Sequence, residues 1–155
     1  MTAMTLTLQG ETQVVVRRRF AAPPAKVFAA HVDPALLPRW MTGPPGWVMT
    51  ACHCDARPGG TMRLDWASTD GSGPPFHATA EFLEVTPFVR IVHVERMFLP
   101  DPTPDNHVET LFAPDGTGTI LTMIMTLADA DSRTAMLATG MEEGMEISYA
   151  RIDDL

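Results

Sequence analysis

Between residues 55 and 118 the chain is cut again and again by turn-forming clusters: "RPGG", "TDGSGPP", "VTPF", "LPDPTPDN" and "APDGTG". Glycine and proline at that density end regular structure, so no long helix fits in this region. The segments left between the clusters are short and apolar at every second position, the pattern of half-buried strands. The spacing predicts strands over 47–54, 60–67, 76–85, 89–98, 107–113 and 118–127, the last two joined by a tight hairpin at Pro114-Asp115-Gly116. Strands linked by such short connections pair antiparallel.

Helical periodicity flanks this meander. Ahead of it, "TQVVVRRRF" reads as one more strand, running through "AAPP" into "AKVFAAHV", where Val27, Phe28 and His31 fall at helical spacing. Pro23 and Pro24 suit the start of that helix, because its first turn has no intrahelical partner for their missing N–H groups. A second short helix is predicted at "DPALLPRW", with Asp33 as cap and Pro34 in the first helical position. After "LADADS", Leu137, Met141, Met145, Ser148, Ile152 and Leu155 recur three or four apart, which predicts one long C-terminal helix with its stripe on the sheet. Glu142, Glu143 and Glu146 are placed on the solvent side of that helix. The 155 residues are read as a single domain, with residues 1–11 a loosely ordered extension.

A net charge of −8 argues against a nucleic-acid surface, and 45% hydrophobic residues are ample for a core. Arg17, Arg18 and Arg19 form the only basic run. Alternation sends Arg18 to the face opposite the other two, and the run is read as solvated strand surface. No segment reaches the roughly 20 apolar residues of a membrane span, and the N-terminus lacks the pattern of a signal peptide, so a cytoplasmic location is expected. Cys52 and Cys54, with His53 between them, lie on a predicted strand. The thiols then share one face and the imidazole takes the other, which does not converge on one metal. The thiols are expected to be reduced and metal-free.

Several segments in order, "RRFAAPPAKVFAAHVDPALLPRWMTGPPGW", "DARPGGTMRLDW", "GPPFHATAEFLEVTPFVRIVHVERM" and "ATGMEEGMEISYARI", resemble the activator-of-Hsp90-ATPase homologue 1-like family, within the START-like and Bet v 1-like group. The resemblance spans the chain from about Val14 to its C-terminus. It implies an α+β helix-grip fold: a curved antiparallel sheet of about seven strands around a long C-terminal helix, two short helices after the first strand, and an elongated cavity between sheet and helix. Similar sequences often carry a tryptophan pair where this one has Trp40-Met41, and a tryptophan where it has Met145. The terminal helix also stops early, at Leu155, so cavity contents do not transfer.

Within that frame, alternation groups Ile91, His93, Glu95 and Met97 on one strand face, and the family pattern turns that face to the cavity. A histidine beside a carboxylate in a partly dry pocket can orient a polar ligand or act as an acid–base pair. His77 and Glu84 are an odd number apart, so an unbulged strand sends them to opposite faces. The apolar candidates are Phe28 and His31 on the first helix, Trp40 on the second, and Met62, Leu64 and Trp66 in alternation. Phe82, Met123, Met125, Met141 and Met145 join them, methionine supplying adaptable walls. Gly140 and Gly144 each cost about 1 kcal/mol in a helix interior, so close packing or room for a bound molecule must offset them.

The function expected is non-catalytic binding of a small, largely apolar ligand, lipid-like, aromatic or polyketide-like. An alternative is a cyclase, dehydratase or hydrolase-like enzyme using His93 and Glu95. A third is an Hsp90-type chaperone partner, against which stand the −8 charge, with no obvious docking patch, and a chain too short for the extra domain of the eukaryotic activators. No phosphate loop, nucleophile elbow, HExxH or Rossmann fingerprint is present, so no cofactor is expected. Whether a homodimer forms across an edge strand is left open by the sequence.

Overall fold

The computed structural model describes residues 4–155. The strands are β1 (Thr5–Gln9), β2 (Gln13–Phe20), β3 (Trp47–Cys54), β4 (Thr61–Ser68), β5 (Phe76–Thr86), β6 (Arg90–Phe98), β7 (Asn106–Asp115) and β8 (Gly118–Thr126). The helices are α1 (Pro24–Val32), α2 (Leu37–Trp40), α3 (Ala130–Ala138) and α4 (Met141–Ile152). All eight strands join one antiparallel sheet in the order β1-β2-β8-β7-β6-β5-β4-β3. This is the α+β helix-grip arrangement, with eight strands rather than about seven. Among the described residues no helix is long and apolar enough to cross a membrane.

The extra strand corrects the expectation of a loose extension over residues 5–9, since Thr5–Gln9 pairs in register with Gln13–Arg17, while residues 1–3 of that expected extension lie outside the described residues. Leu6 is the half-buried position of a segment otherwise mostly exposed, so its own sequence carries little alternation. The β7–β8 turn sits one residue later than expected, with Asp115 opposite Gly118 and Gly116 at φ 59. The "PGG" motif has a structural role. Gly59 N–H donates to Phe82 O at 2.8 Å and Phe82 N–H to Gly60 O at 2.9 Å, docking the β3–β4 turn onto β5 at the edge of a bulge. A Cβ on Gly60 would collide with the Asp55 carbonyl. The bulge, between Phe82 and Glu84, resets the alternation, so His77 and Glu84 are both on the outer face rather than on opposite ones.

Pro24 opens α1 as expected. The segment from Asp33 is a turn that becomes helical only at Leu37, so α2 is a single turn. Side chains hold its C-terminal end: Trp66 Nε1–H donates to Met41 O at 2.8 Å and Arg151 Nη1 to Trp40 O at 3.3 Å. The long C-terminal helix is in fact two. Gly140, at φ 82, breaks it between α3 and α4, a left-handed conformation glycine adopts without steric cost. Gly140 therefore bears no helix-interior penalty. Asp129 caps α3 by accepting from Ser132 N–H at 2.7 Å.

Arg18 corrects the reading of the basic run. It shares the inward face with Val14, Val16 and Phe20 and is 6% exposed. Its guanidinium reaches Glu146 at 3.3 Å and Asp153 at 3.6 Å, and lies 5.0 Å from the centre of the Phe20 ring. Glu146 thus turns toward the sheet, and only Glu142 and Glu143 of the three glutamates are exposed. Removing both acids, Glu146→Ala with Asp153→Ala, strands a buried charge. The loss should be about 2 kcal/mol, below the ~3–5 kcal/mol of a fully buried pair, because the acids are 35% and 32% exposed. Adding Arg18→Met should recover most of it by filling the site without a charge, and urea unfolding of the three proteins checks the order.

Candidate functional site: the inward face of the sheet

The registers arrange the inward residues in rows across the strands. One row runs Phe82, His93, Val108, Met125 and Val14; the next runs Cys54, Met62, Ala80, Glu95 and Asn106. Beyond it lie Cys52, Leu64, Ala78 and Met97. The face has two halves. On β2, β7 and β8 the inward positions are filled and closed, and Met123 and Met125 belong to this packed core. On β3 to β6, Met62, Met97, Cys52 and Cys54 stay half-buried around Ala78 and Ala80, which project nothing past Cβ.

An aromatic group closes one side. His31 lies 4.9 Å from Trp40, 5.2 Å from Phe112 and 6.4 Å from Tyr149, centre to centre, and Trp40 stacks on Tyr149 at 5.8 Å. His31 Nδ1–H donates to Val27 O at 2.8 Å, which leaves Nε2 as the lone-pair nitrogen. Burial lowers this imidazole to about 4; the Val27 bond opposes the shift and nearby His93 adds to it. It therefore stays neutral and a weak base at neutral pH. A downward shift of this kind moves the imidazole away from what an acid–base catalyst at pH 7 needs. Burial likewise raises the Tyr149 phenol, with Arg18 opposing and Glu95 reinforcing.

His93 and Glu95 do meet: Nε2 lies 3.3 Å from Oε1, and the side chains are 14% and 22% exposed. The Phe82 ring packs against His93 at 6.1 Å. Two buried nitrogens beside this pair, His93 Nδ1 and Asn106 Nδ2, have no protein partner. Of the other expected residues, Phe28, Trp40, Leu64, Trp66, Phe82 and Ile91 are core side chains. Met141 and Met145 are partly buried against that core. Gly144 lies on the same stripe, and a Cβ there would meet nothing within 4 Å.

Cys52 and Cys54 point inward and His53 outward, as alternation requires. Among the described residues no three His, Cys, Asp or Glu side chains are grouped to hold a metal. Burial raises both thiols, Cys54 to about 11, with Cys52, Asp55 and Asp33 adding to its shift. Such thiols are poor nucleophiles at neutral pH.

Two open grooves are present among the described residues. One, of about 520 Å³, runs past Met4, Leu137, Gly140, Glu143 and Ile147 at the α3–α4 junction. The other, of about 390 Å³, crosses β4, β5 and β6 on the outer face of the sheet, by Arg63, Thr79, Glu81, Val94 and Arg96.

Sequence reasoning missed Tyr149, Asn106 and Arg18. Tyr149 sits four residues after Met145, so the helical period could have found it. Asn106 closes a turn-forming cluster and reads as loop, although β7 begins there.

The family model for Activator of Hsp90 ATPase homolog 1-like protein matches residues 21–155. A Rhodobacter sphaeroides protein known from a crystal structure is 30% identical, with a TM-score of 0.89 over 97% of this chain and 95% of its own. A Nitrosomonas europaea protein is 24% identical, with a TM-score of 0.81 over 95% of each chain. An Arthrobacter aurescens protein, 21% identical, aligns with a TM-score of 0.83 over 96% of this chain and 88% of its own. The last two likenesses speak for the fold alone, and comparison with curated proteins gives no match. The chain, from its first helix to its C-terminus, belongs to the Activator of Hsp90 ATPase homolog 1-like family.

Proposed function

We propose that the protein binds a small, largely apolar molecule, without transforming it, between α4 and the β3–β6 half of the sheet. The observation that carries this reading is the alanine floor. Ala78 and Ala80, both buried, occupy successive inward positions of β5 with no side chain past Cβ, and the half-buried Met62 and Met97 flank them. Methionine has three rotatable bonds and a polarizable sulfur, so these walls adapt to a guest at little cost. On α4, a Cβ at Gly144 would meet nothing within 4 Å, so the helix itself leaves room there. His93 and Glu95 are the polar members of the site, and they position a ligand rather than exchange protons with it.

Gly144→Leu tests the reading. The substitution restores helix propensity by nearly 1 kcal/mol and meets no neighbour at Cβ, so the variant should melt at or above the parent. It should also lose apolar ligand, followed as thermal shift against fatty acids, flavonoids and aromatic polyketides. A ligand at 100 times its dissociation constant raises stability by about 2.7 kcal/mol in the parent, and that gain should vanish in the variant. A parent that none of these compounds stabilises would overturn the proposal.

A further inference from the structure

The hydrogen-bonding needs of the same face select one kind of polar group, an inference that rests on the ligand-site reading above. A carboxylate only accepts hydrogen bonds, so the contact at 3.3 Å makes His93 Nε2 the donor to Glu95. In the neutral ring Nδ1 is then the lone-pair nitrogen and needs a donor. Asn106 is 2% exposed, and its Nδ2 is a donor in need of an acceptor. The two residues are close: Glu95 is opposite Asn106 and His93 opposite Val108, so His93 and Asn106 are diagonal neighbours on one face of β6 and β7. Such neighbours lie roughly 7–8 Å apart at Cα, within reach of one atom placed between their side chains.

We infer that this site reads a hydroxyl group on an apolar skeleton, the hydroxyl donating to His93 Nδ1 and accepting from Asn106 Nδ2. A single hydroxyl oxygen is both donor and acceptor and satisfies both nitrogens. An ether or ketone only accepts, and leaves His93 Nδ1 without a partner. A carboxylate also only accepts, and brings a negative charge beside Glu95. The neutral His31, whose free nitrogen is likewise a lone pair, adds a second acceptor to the interior and no cation to favour an anion. The ligand class is therefore an aromatic or alicyclic alcohol or phenol rather than a fatty acid.

Three probes with one skeleton separate the cases: 2-naphthol, 2-methoxynaphthalene and 2-naphthoate, titrated by calorimetry at pH 7. The naphthol should bind about tenfold more tightly than its methyl ether, the worth of the one neutral hydrogen bond to buried His93 that the ether cannot make. The naphthoate should be the weakest. His93→Leu should bring the naphthol-to-ether ratio close to one, whereas Asn106→Leu, which removes the donor that both probes use, should weaken naphthol and ether alike and leave their ratio unchanged. Nitrogen NMR of the His93 ring in the parent reads the same point without any variant: Nδ1 should shift on adding naphthol and not on adding the ether. Equal affinities for naphthol and ether, a preference for naphthoate, or a ratio that His93→Leu keeps would overturn the hydroxyl assignment and leave the ligand site standing. If none of the three binds, the ligand site falls with it.

Discussion

Trp40→Ala is expected to cost about 3–5 kcal/mol, the range for deleting a fully buried tryptophan. The ring is 2% exposed and joins three helices. It stacks on Tyr149 of α4, tilts against His31 of α1, and belongs to α2. Its indole N–H also donates to Ala30 O at 2.8 Å. That carbonyl is in the last turn of α1, where no intrahelical donor remains, so the tryptophan serves as a C-terminal cap. Truncation opens a cavity, uncaps α1 and frees α2, which is too short to persist on its own. Domains of this size are stable by only about 5–15 kcal/mol, so the variant should be partly unfolded at body temperature. Trp40→Phe should keep the stacking and lose the cap, at a cost of no more than about 2 kcal/mol. Urea unfolding followed by far-UV circular dichroism measures all three proteins. A loss under about 1 kcal/mol for Trp40→Ala would show that the helices hold together without this ring.

Acid should destabilise the protein through His31 over a defined window. Its folded value is about 4 and its ordinary value 6.5. Between those two values the unfolded chain takes up a proton that the folded chain refuses. Stability therefore falls as pH drops through 6.5, and this contribution stops changing below about 4, where both states are protonated. Each tenfold difference in proton affinity between the two states is worth about 1.36 kcal/mol, so the loss between pH 7 and pH 4 is on the order of 3 kcal/mol. His31→Phe, similar in size and free of charge, should sit within about 1.5 kcal/mol of the parent at pH 7. Its stability should then fall much less on acidification, the carboxylates contributing equally to both proteins. Parallel stability curves for parent and variant from pH 7 to pH 4.5 would remove His31 as the cause.

The candidate site was legible in part. Alternation along β6 grouped Ile91, His93, Glu95 and Met97 correctly, because a strand's period is a local property of its backbone. The same rule applied to β2 separated Arg18 from Arg17 and Arg19, yet its charge led to a reading as surface, whereas it shares the inward face with Val14, Val16 and Phe20. What pairs Arg18 is Glu146, 128 residues further on, and no local rule reports such a partner. Asn106 was hidden for a related reason, since its identity suits a turn and only pairing with Glu95 makes it a strand residue.

The meander, the two flanking helical regions and the hairpin connections follow from the sequence alone, because glycine, proline and side-chain periodicity act within a few residues. Tertiary structure decided the rest. Thr5–Gln9 is a strand because β2 offers it a free edge. The C-terminal helix breaks at Gly140 although the apolar stripe continues across it, since stripe spacing alone does not report the backbone turn between Leu137 and Met141. Which half of the inward face is filled is a long-range packing outcome that the order of residues along one strand does not contain.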